Sequence, residues 1–362
     1  MERTDLASRV VRREDYIPCD EAFVDTRLPG REGKQNYCII GPGVAENEKQ
    51  VVHIAEPHGF NVGGVSLPTG KLNSLHSHTT AEVFLVCRGS WRFFWGYDGQ
   101  DGDAVLEPGD VISVPTGTFR GFESVGSDDN FMMSFLGEDD PGFVTWANDV
   151  IEGAAEFGFY LRKDSSLVDT TRGDAMPPDE DLLQPLSEAQ LLRYNRTSIA
   201  EMAARVVNVE RATGYTHAFS DCELSGGHKS YFPIIGEGCH ESGDFRSPIL
   251  NPHSFSLGAI EAVPGGGFLR HSYDVKQVFV IGSGRWRVTL EDGDAAASFE
   301  VGAEDTISVP AGSWRTVENI GDSNGVLYLA SAGDLRVTPR WAPEVVTAIT
   351  GSADNIRQQA GG

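Results

Sequence analysis

The chain is patterned in short apolar or alternating runs, such as Glu82 to Cys87 and Val111 to Val114, separated by Gly, Pro and Asp-Gly turns. Runs of that length with period-two alternation predict β-strands, and many of them at close spacing predict a sandwich or a closed barrel. Closure matters because it removes the unpaired edges along which strands aggregate. The expected fold class is all-β with a few helices.

The pattern occurs twice. Leu75-His-Ser-His-Thr-Thr-Ala-Glu-Val-Phe-Leu-Val-Cys-Arg-Gly-Ser-Trp-Arg92 aligns with Arg270-His-Ser-Tyr-Asp-Val-Lys-Gln-Val-Phe-Val-Ile-Gly-Ser-Gly-Arg-Trp-Arg287 at an offset of 195. The same offset carries Asp110-Val-Ile-Ser-Val-Pro-Thr-Gly117 onto Asp305-Thr-Ile-Ser-Val-Pro-Ala-Gly312, Pro57-His58 onto Pro252-His253, and Trp146-Ala147 onto Trp341-Ala342. One register held over so many separated pairs marks an internal repeat, and each copy has the size of a domain. The expected organisation is an N-terminal arm over 1–39, a first antiparallel barrel over 40–151, a linker region with helices over 152–234, a second barrel over 235–346, and a tail over 347–362.

Within the linker, 174–181 is rich in Pro and acid, and Ser187-Glu-Ala-Gln190 reads as a capping box that opens a helix running toward Val206. After each barrel a Trp-Ala-x-acid-Val segment, beginning at Trp146 and Trp341, predicts a helix packed outside the barrel. The Gly/Gln-rich end, 358–362, is expected to fray.

Composition narrows the partners. With 29 Lys plus Arg against 53 Asp plus Glu, the net charge of -24 repels a phosphate backbone, and no basic run offsets it locally. Nucleic acid is therefore excluded as a partner. No basic-then-apolar leader opens the sequence and no apolar stretch reaches membrane-spanning length, so the expectation is a cytoplasmic protein with no membrane contact. Five cysteines without a Cys-x-x-Cys spacing suit reduced thiols.

The chemistry concentrates in the repeat. Residues two apart on a strand face the same side, so His76 and His78 both aim into the first barrel, and Glu82 joins them from the next strand. Two imidazoles and a carboxylate suit a divalent metal and leave coordination positions open. A His-x-His pair alone is more often structural; the glutamate spacing tips the balance toward a metal. In the second half the same positions read His271, Tyr273 and Gln277, a donor set not expected to bind metal.

Together these motifs resemble the cupin superfamily. Its first motif is matched by His76, His78, Glu82 and Gly89, and its second by Gly109, Pro115 and Gly117, but the second motif's histidine position holds Arg120. In the other half, the matching residue is Arg315. The resemblance implies two jelly-roll barrels in tandem, with a metal inside the first. A guanidinium has no lone pair to offer a metal, which leaves Arg120 three roles. It could pair with Glu82 in a metal-free barrel, grip a substrate carboxylate, or point outward as a structural residue. Because Arg315 recurs beside a neutral Gln277, mere neutralisation ranks last and the outward placement first.

Other candidates have plainer readings. Trp91, Phe93 and Trp95 share a strand face and suit the core, His58 and His253 recur after Pro as structural residues, and His217, His228 and His240 lack ligand spacing. No phosphate loop or nucleophile elbow is present.

The leading expectation is a metalloenzyme resembling two-barrel gentisate- and quercetin-type dioxygenases, with Fe(II), Mn(II) or Ni(II) as metal and Zn(II) as a further option. Its substrate would be a small organic acid or phenol, with Glu82 also able to take a proton and Arg120 contacting the substrate. The alternatives are a metal-dependent lyase, isomerase or decarboxylase, and a non-catalytic ligand-binding or structural two-barrel protein. Assembly into a homo-oligomer is open to any of these.

Overall fold

The structure, a computed structural model, describes residues 5–126 and 129–360. Short β-strands are the dominant regular element, and they fall into two compact units. One comprises Tyr16–Asn208; the other comprises Val209–Gly362 together with Met1–Asp15. The stretch 152–234 is thus divided between them.

In the first unit a sheet runs in the order Val206–Asn208, Asp110–Val114, Glu82–Arg88, Phe131–Gly137, Phe60–Ser66, Gln35–Ile40 and Val52–Ile54. A second sheet runs Thr145–Trp146, Leu72–Ser77, Arg120–Ser124, Trp91–Trp95 and Gly102–Leu106. Apart from the pairing of Gln35–Ile40 with Val52–Ile54, all these neighbours are antiparallel. The second unit repeats the plan with Gln277–Ser283 and Gly325–Ala332 central in one sheet and Trp286–Asp292 and Trp314–Asn319 in the other. This is the predicted pair of jelly-roll barrels.

The alternation read from sequence is what fills each barrel. Trp91, Phe93 and Trp95 are buried while Arg92 and Phe94 on the opposite face are half-buried, and Phe93 meets Phe84 and Phe122 at 5.3 and 5.4 Å between ring centres. Each such buried ring contributes roughly 1.5–3 kcal/mol of transfer free energy. His58 and His253 are structural: each Nδ1 bonds the carbonyl oxygen two residues earlier, at 2.6 Å, beside Phe60 or Phe255.

A second repeat element lies outside the 195 register. Val10–Val11 pairs with the strand containing Ile307, and Val206–Asn208 pairs with the strand containing Ile112. Leu6 enters the core of the second barrel and Met202 that of the first. Arg9 Nη1 donates to Ser308 Oγ at 3.3 Å and Arg205 Nη2 to Ser113 Oγ at 2.7 Å. The segment that precedes the first barrel in the chain therefore completes the second unit, and the segment that precedes the second barrel completes the first.

The linker helix is shorter than predicted. The Ser187 capping box forms, but the helix covers only Glu188–Leu191; a further capped helix, Ile199–Ala203, follows, and Val206–Asn208 is a strand. The break is tertiary: Asn195 donates its backbone N–H to Gly117 O at 2.9 Å and its side-chain amide to Thr116 O at 2.8 Å, which the helical path cannot satisfy. The two post-barrel helices are present as Asn148–Glu156 and Pro343–Ala360. The segment expected to fray is helical as far as Ala360; Gly361 and Gly362 lie outside the described residues. No helix among the described residues is long and apolar enough to cross a membrane.

Candidate metal centre

His76 sits near the end of strand Leu72–Ser77, His78 just beyond it, and Glu82 opens strand Glu82–Arg88 in the other sheet. The tight link between these strands brings one donor atom from each of the three within 4.8 Å of the other two, all buried. Among the described residues this is the one such group of His, Cys, Asp or Glu.

The three side chains have the hydrogen bonding and charge that a metal-binding set needs. His76 Nδ1 donates to Ser74 O at 2.8 Å, which leaves Nε2 with the lone pair, the arrangement found where an imidazole binds a metal through its far nitrogen. His78 Nε2 lies 3.5 Å from Glu82 Oε1, and His78 Nδ1 is buried without a hydrogen-bond partner. Burial and the nearby Arg120 charge hold both imidazoles below their usual range, so both are neutral near pH 7. Burial pushes the Glu82 carboxyl up, but Arg120 and His78 overcome it and bring it to about 2. Two neutral imidazoles and an ionised carboxylate form a donor set that fits Mn(II), Fe(II), Ni(II) or Zn(II).

Arg120 is not directed outward. It is 1% exposed, its Nη2 donates to Glu82 Oε2, and its Nη1 donates to His76 O at 2.9 Å. Strand pairing explains the direction, because Arg120 stands opposite His76 and therefore faces the same side. It does not line the cavity in front of the trio. That cavity, about 60 Å³, is walled by Lys34, Tyr37, Asn73, Phe122 and Trp146 beside the three donors.

Several residues around the site carry no motif and were missed from sequence. Lys34 is buried in an ion pair with Asp25, and its Nζ also donates to Asn73 Oδ1 at 2.8 Å. The Asn73 amide nitrogen lies 3.2 Å from His76 Nδ1. Trp146 packs against His76, with ring centres 5.1 Å apart, and donates its indole N–H to Glu46 Oε1 at 2.6 Å. Burial lifts the Glu46 carboxyl to about 8 despite this donor and the Val24 N–H.

The second barrel keeps the frame but not the trio. Lys229 pairs with Asp221, Trp341 donates to Glu241 at 3.1 Å and lies 5.6 Å from His271, and Arg315 Nη2 donates to Gln277 Oε1. Lys34 and Lys229, and Glu46 and Glu241, are 195 apart, so the repeat register contained the signal. Tyr273 turns its hydroxyl to Cys239 O at 2.7 Å, and Phe268 takes the place of Asn73. The trio is thus confined to the first barrel among the described residues.

The comparisons with known proteins agree on the fold. Residues 59–159 match the family model described as Cupin. Oxalate decarboxylase of Lactobacillus farciminis, solved as a formate complex, superposes with a TM-score of 0.57 at 14% identity, covering 92% of this chain and 88% of that one. Oxalate decarboxylase of Bacillus subtilis, from a study of its Mn(II) centres, gives 0.54 at 15% identity over 90% and 78% of the two chains. In sequence, 97 aligned residues are 34% identical to acireductone dioxygenase of Bacillus mycoides (strain KBAB4), covering 23% of this chain and 57% of that protein. The chain therefore spans a little over half the length of that relative.

Proposed function

Because the chain is a two-barrel member of the cupin superfamily, we propose that its first barrel is a metal-dependent enzyme site acting on a small organic acid, with lyase or decarboxylase chemistry as the leading reading. The observation that carries the metal is the buried trio of His76, His78 and Glu82. The likeness over nearly the whole chain to oxalate decarboxylases supports the lyase reading over an oxygenase one. Mn(II) or Fe(II) is the preferred occupant; Ni(II) and Zn(II) suit the same donors.

When bound, a divalent ion there supplies Lewis acidity, polarising a carboxylate or carbonyl oxygen. His76 and His78 would hold it through neutral nitrogens, and Glu82 through an ionised oxygen. With its carboxyl near 2, Glu82 is a weak base at neutral pH, so its role is ligation rather than proton abstraction. Phe122 and Trp146 add apolar wall to the cavity beside the three donors, whose small volume suits a small substrate.

A dioxygenase remains the second reading, favoured by the 34% identity to acireductone dioxygenase. Purified protein should be assayed for metal by elemental analysis, then incubated with small acids with and without dioxygen. Carbon dioxide release that persists in turnover without oxygen uptake supports the lyase reading, and stoichiometric oxygen uptake replaces it with the dioxygenase. Less than about a tenth of a metal per chain, with no binding on titration, ends both and leaves a ligand-binding or structural protein.

A further inference from the structure

The two Glu82 oxygens face different neighbours: Oε1 lies 3.5 Å from His78 Nε2, and Oε2 is taken by Arg120. Arg120 stands where the superfamily motif has a fourth ligand, and it is locked there by its second bond, to His76 O. Arg315 Nη2 likewise donates to Gln277 Oε1, where there is no carboxylate to attract it, although its Nη1 is held by Ser313 O rather than by the His271 carbonyl; the inward reach of the side chain is thus built into the barrel rather than imposed by charge. Arg120 does not line the cavity, so any influence on a ligand passes through Glu82.

The charges around the cavity close to zero. The Lys34 ammonium is paired with Asp25 and the Glu82 carboxylate with Arg120, and an imidazole that ligates a metal does so in its neutral form. A divalent ion bound to the trio would keep its whole double charge uncompensated by protein, in a surrounding where charge is poorly screened.

We propose that Arg120 is a positioning residue that restricts Glu82 to one coordinating oxygen and cancels its charge, making the metal centre selective for small chelating dianions such as dicarboxylates. This rests on the metal reading above and names its substrate class. Three protein donor atoms leave about three of six positions of an octahedral ion open, room for a two-oxygen chelator. A Glu82 bound through both oxygens would leave about two.

The test uses full-length protein loaded with Mn(II). Water-proton relaxation should count about three exchangeable waters on the ion, and oxalate and malonate should bind more tightly than acetate. In Arg120→Gln, freed Glu82 should bind Mn(II) about tenfold more tightly, show one water fewer, and lose about tenfold of its preference for oxalate over acetate. Opposite signs for metal and dianion are what a merely structural arginine would not produce. Equal weakening of both, or a wild-type count of about two waters, overturns the proposal while leaving the metal centre standing. Should Arg120→Gln not fold, Arg120→Lys, which keeps the charge, should hold the oxalate preference within about threefold, and the wild-type water count decides independently. Absence of Mn(II) binding by wild type would instead remove the metal reading itself.

Discussion

Arg120 and Glu82 are joined side chain to side chain inside the first barrel, and Arg315 and Gln277 repeat the same bond inside the second. The partner's charge differs and this bond does not, while the second guanidinium bond goes to His76 O in one barrel and to Ser313 O in the other. Removing one member of a buried ion pair strands the other, typically at about 3–5 kcal/mol, so truncation of Glu82 would confuse loss of a ligand with loss of fold.

Glu82→Gln avoids that confusion because Gln277 shows that the barrel accepts an amide there. Metal content per chain should fall at least about tenfold while the unfolding midpoint stays near wild type. Gln277→Ala should leave metal content unchanged. Elemental analysis of both variants checks the division of labour between the barrels.

Lys34 and Asp25 form a buried pair whose lysine also anchors Asn73 against His76. Lys34→Met should cost about 3–5 kcal/mol by denaturant unfolding, because Asp25 is left charged and unpaired. Lys229→Met should cost a similar amount through Asp221. Only the first should also weaken metal binding, since the Asn73 counterpart in the second barrel is Phe268.

Acid should destabilise the second barrel through His271. Burial and the Arg315 charge hold its imidazole well below the ordinary 6.5, so below that pH the unfolded chain takes up a proton that the folded chain refuses. The stability is present above 6.5 and drains as pH falls, by up to about 1.4 kcal/mol per pH unit until the folded pKa is reached. Urea unfolding of wild type and His271→Gln at pH 7.5 and 5.5 should show the difference between them shrinking by about 1 kcal/mol at the lower pH.

Deleting residues 1–12 should damage the second unit and spare the first. It removes Leu6 from that core, the Val10–Val11 strand, and the Arg12 to Asp305 ion pair at 3.0 Å. Differential scanning calorimetry should show a lowered transition for one unit, with metal binding by the trio retained.

Much of this was legible in the chain. The register of 195 exposed the paired barrels, and strand alternation placed His76 and His78 on one side. What stayed hidden depended on contacts between distant residues. The direction of Arg120 follows from its pairing opposite His76, which no local pattern encodes. The break between Leu191 and Ile199 follows from Asn195 bonding to the 116–117 turn, which overrode a sound capping signal. Leu6-Ala-Ser-Arg-Val-Val11 and Met202-Ala-Ala-Arg-Val-Val207 are visibly alike, but at an offset of 196 they fall one residue out of register with the rest.

That displaced pair of segments sets an order of assembly on the ribosome. The first barrel can close as soon as Asn208 has emerged, whereas Val10 must wait for Ile307 to be made before it has anything to pair with. Early products of translation therefore carry a closed first barrel and a sticky loose strand together, and slow synthesis between those two points lengthens the interval in which that strand can find the wrong neighbour.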